Sequence, residues 1–319
     1  MTSFINEDSS NFQEGLKNNY FMNNGTILKW WHGKGALLDY SNPDALNWWN
    51  NQLNNVLDIG IDGFKTDGSD PYLYMLLPQP IGHIGEIDHR QYANYYYNET
   101  FNQVRKVRGL DGLIMARPMA LLVPGEYSYW LYLRYSPNDI VFSGWMGDQK
   151  GTFDGIKVAL RMMFHSSVYN ATNFGSDIGG YLNDHDYPQG RSKEVFIRWA
   201  QLGALNPLME NGGGGNHEPW AWDGETVEIY KKFVNIHYEL FPFFYASGSQ
   251  AFEKQKSVMQ PVAQIQDKLA DFSFPSSYDF TLWNSIHVSP IIKNKTVTTV
   301  QFPQGQTEWR INNSYEYNH

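Results

Sequence analysis

The sequence predicts an α/β fold, a parallel sheet assembled from βα units and followed by a smaller β region. Three observations carry this expectation. Short apolar runs of strand length alternate with segments of 3.6-residue apolar periodicity, four strand-to-turn units place Asp or Arg at the strand end, and near residue 257 the alternation gives way to short strands separated by Pro and Gly.

The first clear helix opens at Asn42-Pro43, with Asn suited to cap the end and Pro to occupy the first helical position. Trp49, Leu53, Val56 and Leu57 then share one face. A strand over 61–66 follows in Gly60-Ile-Asp-Gly-Phe-Lys-Thr-Asp67-Gly-Ser-Asp70. The Pro- and Gly-rich stretch 70–88 is longer than an ordinary connection and is a candidate functional loop. A helix over 89–108 leads to strands over 113–117 and 139–143. The next helix starts near Thr152 and keeps its apolar period through Ile156, Ala159, Leu160, Met163 and Phe164. A strand-to-turn unit spans 173–180, and a helix over 192–205 buries Phe196, Trp199, Ala200 and Gly203. After a loop over 210–223, a helix aligns Ile229, Phe233, Ile236 and Leu240. Strands are expected over 286–292 and 296–302, so the chain divides into 1–256 and the start of a C-terminal β domain, 257–319.

Composition narrows the chemistry. A net charge of −9 without a basic block argues against a nucleic-acid partner. No apolar run approaches the roughly 20 residues that span a membrane. The absence of cysteine excludes disulfides, thiolate metal sites and a Cys nucleophile. Aromatic residues make up 16% of the chain, a supply of flat faces of the kind carbohydrate sites use, although most such rings serve packing. Asn-X-Ser/Thr sequons stand at Asn24, Asn98, Asn170, Asn294 and Asn312 and bear on compartment only if the protein is secreted, so the sequence leaves localisation open.

The strand ends Asp67, Arg117, Asp148 and Asp177 are the chemistry-bearing positions. In parallel α/β barrels the carboxyl ends of the strands build the site. A single Asp there is more often a turn former or cap, but four polar ends at successive units point to one shared site. Lys65 can hold a nearby carboxylate ionised, which suits Asp67 as a nucleophile. Asp148 follows Trp145 and Met146, an apolar setting that suits a proton donor. His217 and Glu218 lie in a loop and can reach hydroxyl groups. Asp184-His-Asp186 holds metal-type ligands, but adjacent loop residues seldom converge on one ion, and no metal or other cofactor is expected. No nucleophile elbow or phosphate-binding glycine motif is present.

At these residues the chain resembles glycoside hydrolase family 31, the retaining α-glucosidases, α-xylosidases and relatives. The similarity runs in order through Trp30-Trp-His-Gly-Lys-Gly-Ala-Leu-Leu-Asp-Tyr-Ser-Asn-Pro, Trp48-Trp49, Gly63-Phe-Lys-Thr-Asp67, Trp145-Met-Gly-Asp148 and Ser176-Asp-Ile-Gly-Gly-Tyr181. Arg198-Trp-Ala-Gln-Leu-Gly-Ala204, followed by Asn206-Pro207, extends it. The resemblance implies the C-terminal units of a TIM (β/α)8 barrel, five strands followed by part of a β-sandwich. It implies Asp67 as nucleophile, Asp148 as acid/base, and Arg117, Trp145, Asp177 and His217 around the sugar. The family's Arg-Asn-His run reads Glu210-Asn-Gly here, and the Glu expected three residues after the nucleophile is Asp70. Only about 29 residues precede Trp30, so the family's N-terminal sandwich and first barrel strands are expected to be missing.

The function expected from this resemblance is retaining hydrolysis of α-linked sugars, with an oligosaccharide or α-glycoside as the partner molecule. An α-glucan lyase, which shares the nucleophile, and a truncated non-catalytic carbohydrate-binding relative are the alternatives. The sequence leaves the oligomeric state open.

Overall fold

The computed structural model describes residues 1–68, 73–74, 76–117, 119–120, 132–133, 139–263, 275–295, 297, 299–300 and 302. Its first unit is an antiparallel meander that the sequence pattern did not disclose: β1 (Phe4–Asn6) and β2 (Leu28–Trp30) flank β3 (Gly33–Leu37), with helix α1 (Phe12–Lys17) between β1 and β2. These strands are too short for alternation to register, and Phe4, Ile5, Leu37 and Leu38 are all buried.

The central element is a five-stranded parallel sheet. Its members are β4 (Gly63–Thr66), β5 (Leu113–Ala116), β6 (Ser143–Trp145), β7 (Asn173–Asp177) and β8 (Leu208–Glu210), in the spatial order β8-β7-β6-β5-β4. Neighbouring strands are consecutive in sequence and all run parallel, the winding of a barrel wall. β4 pairs in register with β5, Thr66 opposite Ala116, and β7 with β8, Asp177 opposite Glu210. The carboxyl ends therefore finish at one level. On the open side of β4 the Met1 amino group donates to the Lys65 carbonyl at 2.5 Å and the Met1 carbonyl accepts from the Asp67 N–H at 3.3 Å.

Parallel strands need crossover connections, and helices supply them. Between the meander and the sheet, α2 (Pro43–Leu57) is capped as expected, the Asn42 side chain accepting from the Asp44 and Ala45 N–H groups. Trp49, Leu53 and Leu57 are buried, but Val56 is 37% exposed because the core stripe continues through Ala45 instead. α3 (His89–Arg108) begins with a reciprocal capping box between Asp88 and Gln91. The expected loop before it holds a two-stranded pair, Ile81–Gly82 with Gly85–Glu86. α4 (Phe153–Val168) starts on the Thr152 cap and buries all five expected apolar positions. α5 (Lys193–Ala204), capped by Ser192, buries Phe196, Trp199, Ala200 and Gly203.

Several boundaries differ from the sequence expectation. The strand placed over 139–143 forms at Ser143–Trp145, closer to Asp148. β8 was not expected and runs into the 210–223 loop at Glu210, since three residues of strand give no periodicity. α6 (Gly224–Glu239) is followed at once by α7 (Phe241–Glu253), with Pro242 in its first turn, a position where Pro opens a helix.

The antiparallel sheet of β9 (Met259–Pro261), β10 (Phe280–Leu282) and β11 (Ile286–Val288) packs on α4, with the Phe164 and Phe280 rings 6.2 Å apart. The strand expected over 286–292 ends at Val288. Of the run 296–302, the described residues lie in no strand, and Thr296, Thr298 and Gln301 lie outside the described residues. Among the described residues no helix is long and apolar enough to cross a membrane.

Trp199 links this packing to the sheet. It is fully buried on α5, and its indole N–H donates to Ser176 Oγ at 3.0 Å, one residue before Asp177. Trp199→Ala is expected to destabilise the protein by about 3–5 kcal/mol, checked by urea unfolding.

Candidate active site

The five strand ends converge on two cations. Arg117 follows β5, and its N–H continues the ladder onto the Thr66 carbonyl of β4. Tyr97 on α3 donates to the Arg117 carbonyl at 2.8 Å, fixing the backbone from the other side. The guanidinium then forks, Nη2 lying 2.5 Å from Asp67 Oδ1 and Nη1 2.8 Å from Asp148 Oδ1. One planar group thus bridges the carboxyls expected to act together, and its rigid fork fixes their mutual orientation. Gly147 makes the approach of the Asp148 segment feasible. It has φ +80°, and a Cβ there would sit 2.9 Å from Arg117 Nη1.

Lys65 organises the other half. Its ammonium bonds to Glu210, lies 3.9 Å from Asp177 Oδ1, and stands 4.2 Å from the centre of the Trp145 ring. Lys65 therefore serves Asp177 and Glu210, on strands β7 and β8 across the curled sheet, rather than an acid near it in sequence. Arg117 approaches the same ring at 5.7 Å, so buried Trp145 forms an apolar wall beneath both cations.

The protonation states follow from these surroundings. Asp148 is raised above its ordinary value, first by burial and further by Asp67, against the pull of Arg117. Asp177 is pushed up to about 8 by burial and then by the Glu210 carboxylate, with Lys65 opposing. Burial alone would lower Arg117, yet Asp67 and Asp148 hold it above its usual range.

His217 stands apart from this cluster. Its Nδ1 lies 3.0 Å from the Ile178 carbonyl and 3.1 Å from Asn211 Oδ1, and Nε2 lies 3.1 Å from the Gly214 carbonyl. Burial, then the charge of Arg191, keep it below the ordinary imidazole value. The loop is held by Arg191, which is fully buried and donates to the carbonyls of Gly179, Gly180, Gln189, Gly214 and Asn216. Gly179 has φ +84°, and a Cβ there would meet Arg191 Cδ at 2.6 Å. A cavity of about 530 Å³ lies beside this loop, against Trp220 and Tyr230. Neither Arg117 nor any of the strand-end carboxyls lines it.

Of the residues singled out from sequence, Asp67, Arg117, Trp145, Asp148 and Asp177 come together. His217 joins the adjacent loop, and Asp70 lies outside the described residues. Glu210 and Arg191 were not recognised. Glu210 could have been found as an acid ending a fifth strand, whereas Arg191 binds only carbonyls and leaves no residue-type signal. Among the described residues no group of three or more His, Asp or Glu is arranged to hold a metal.

Residues 1–247 match the glycosyl hydrolases family 31 TIM-barrel domain. The chain belongs to glycoside hydrolase family 31. Relatives of this family 31 chain include α-glucosidase 2 of Bacillus thermoamyloliquefaciens, 25% identical over 92% of the chain and 37% of that protein. An α-xylosidase of Emericella nidulans is 22% identical over 96% of the chain and 38% of its own length. The chain thus spans less than two-fifths of these relatives. Among solved structures, a xylosidase from Aspergillus niger superposes with a TM-score of 0.72 at 16% identity, over 93% of the chain and 47% of that structure. The cycloalternan-forming enzyme from Listeria monocytogenes superposes at 0.71 with 21% identity, over 92% and 28%. The fold is accordingly a partial α/β barrel with attached antiparallel sheets.

Two predictions follow from the protonation and the loop anchor. The folded protein retains on Asp177 a proton that the unfolded chain releases near pH 4, so this group's contribution to stability falls as pH rises from about 4 to about 8. Asp177→Asn is expected to flatten that fall in urea midpoints measured across the range. Arg191→Lys strands several buried carbonyls and is expected to cost about 2–4 kcal/mol, read by the same unfolding. Hydrogen exchange should then quicken selectively over residues 211–217.

Proposed function

We propose that the chain is the catalytic portion of a retaining α-glycoside hydrolase acting on terminal α-linked sugars of the α-glucoside type. The observation that carries this reading is the Asp67–Arg117–Asp148 bridge, which holds two carboxyls on neighbouring parts of one strand-end surface. Retaining hydrolysis calls for such a pair about 5–5.5 Å apart, one attacking and one protonating. Asp67, at the end of a rigid strand and oriented by Arg117, is the nucleophile. Asp148, which holds its proton to higher pH than an ordinary Asp, gives that proton to the leaving oxygen. The bond from the anomeric carbon to the leaving group breaks as the Asp67 ester forms. Asp148 then deprotonates a water that displaces Asp67, and the proton balance is restored.

Arg117, Trp145, Asp177 and His217 are proposed to surround the sugar. Protonated Asp177 can donate to a hydroxyl, Trp145 backs the surface beneath the two cations, and His217 borders it from its loop. The α-glucosidase and α-xylosidase names of the relatives support a neutral hexose or pentose. Residues 257–319 are proposed to begin a C-terminal β domain, a reading supported by the β9–β11 sheet.

Asp67→Asn is expected to lower kcat/KM on an aryl α-glucoside by about 10³-fold or more. Asp148→Asn is expected to cost about 10²–10⁴-fold, with the smaller loss on substrates whose leaving group needs little protonation. Proton NMR of the fresh product should show the α-anomer of a free sugar. A β-anomer would mean inversion, an unsaturated anhydro sugar would mean a lyase, and an active Asp67→Asn variant would remove the proposed nucleophile.

A further inference from the structure

We infer that Glu210 is a specificity-determining residue, one that reserves the site for neutral sugars and turns away sugars bearing a carboxylate or sulfonate. The inference rests on the glycosidase reading and adds to it the residue that sets the preference for neutral sugars.

Glu210 ends β8 directly opposite Asp177, and its carbonyl accepts the Ile178 N–H at 2.9 Å, so its backbone is fixed. Its side chain is 13% exposed and engages Lys65, whose own side chain is 40% exposed and the more accessible of the two cations. Arg117 is occupied on both arms by Asp67 and Asp148. Among the described residues four carboxyl groups therefore face two cations at the strand ends, and both cations are already paired with carboxyls.

A hydroxyl needs only a hydrogen-bond partner. Among the described residues Asp177 Oδ2 and Glu210 Oε2 are both buried without one, and Asp177 is 1% exposed, so a protonated carboxyl that can donate and a carboxylate that can accept lie beside the Trp145 wall. An anionic substituent would instead lose its water beside Glu210, whose partner Lys65 is already engaged, without a compensating charge. Glu210 also withdraws Lys65 from service, because an ammonium already bonded to a carboxylate attracts a second anion weakly.

The test compares an aryl α-glucoside with the aryl α-glucuronide of the same leaving group. The native protein should prefer the neutral substrate by at least about 100-fold in kcat/KM. Glu210→Gln, which keeps the shape and removes the charge, should raise the glucuronide-to-glucoside ratio at least about tenfold, and Glu210→Arg further. A ratio unmoved by both variants, or a native preference for the glucuronide, overturns the inference. Binding to the native protein gives a second readout that does not depend on a variant folding. Glucose should compete for the site at least about tenfold better than glucuronate, and the reverse order overturns the assignment. If the native protein cleaves neither substrate, the hydrolase reading fails, and the same competition with Glu210→Gln decides the inference: a glucose preference narrowed at least about tenfold supports the role of Glu210, and an unchanged one overturns it.

Discussion

The strand-end surface is organised by two cations shared among four carboxyl groups. Arg117 ties Asp67 to Asp148, and Lys65 ties Glu210 to the neighbourhood of Asp177. Gathering four acids at one end of a sheet would be self-defeating without them, since each carboxylate raises the cost of ionising the next. With them, the acids still differ in kind: burial and neighbouring acids hold Asp148 and Asp177 toward the protonated form against the pull of the cations, while the guanidinium stays charged. The Trp145 ring beneath both cations keeps that side apolar and strengthens the differences.

This arrangement depends on strand register more than on loop conformation. Thr66 opposite Ala116 and Asp177 opposite Glu210 set the carboxyl ends level, so residues from four crossover units meet without long side-chain excursions. A slip of one residue would send each side chain to the other face. The helices hold the register from outside, most directly where Trp199 donates to Ser176 beside Asp177. Arg191 does the equivalent for the adjacent loop. It spends its donors on carbonyls from both the 177–181 turn and the glycine run, which joins His217 to the sheet.

Much of this was legible in the sequence because βα units announce themselves. The Asn42 cap, the helix starts near Thr152 and Ser192, the apolar periods that follow them, and Asp67, Arg117 and Asp177 at strand ends all fall where the pattern puts them. The rest was hidden for identifiable reasons. β1–β3 and β8 are too short to show alternation. α7, which opens at Phe241-Pro242, was not among the expected helices. Lys65 has acids close by in sequence, yet curling of the sheet gives it Glu210 instead, a partner 145 residues away. Arg191 could not be read at all, because a side chain satisfied by carbonyls has no complementary residue type to betray it. The division of labour among the strand-end carboxyls likewise depends on burial, which local sequence does not state.

The central claim is that Asp67 forms a covalent bond to the sugar. It is tested most directly by incubating the protein with a 5-fluoro-α-glucosyl fluoride, which slows turnover of a glycosyl-enzyme, and mapping the adduct by peptide mass spectrometry. The account predicts one glycosyl adduct, on Asp67, absent from Asp67→Asn and lost on transfer to an acceptor sugar. An adduct on Asp148, Asp177 or Glu210, or steady turnover of the reagent by Asp67→Asn, would contradict it.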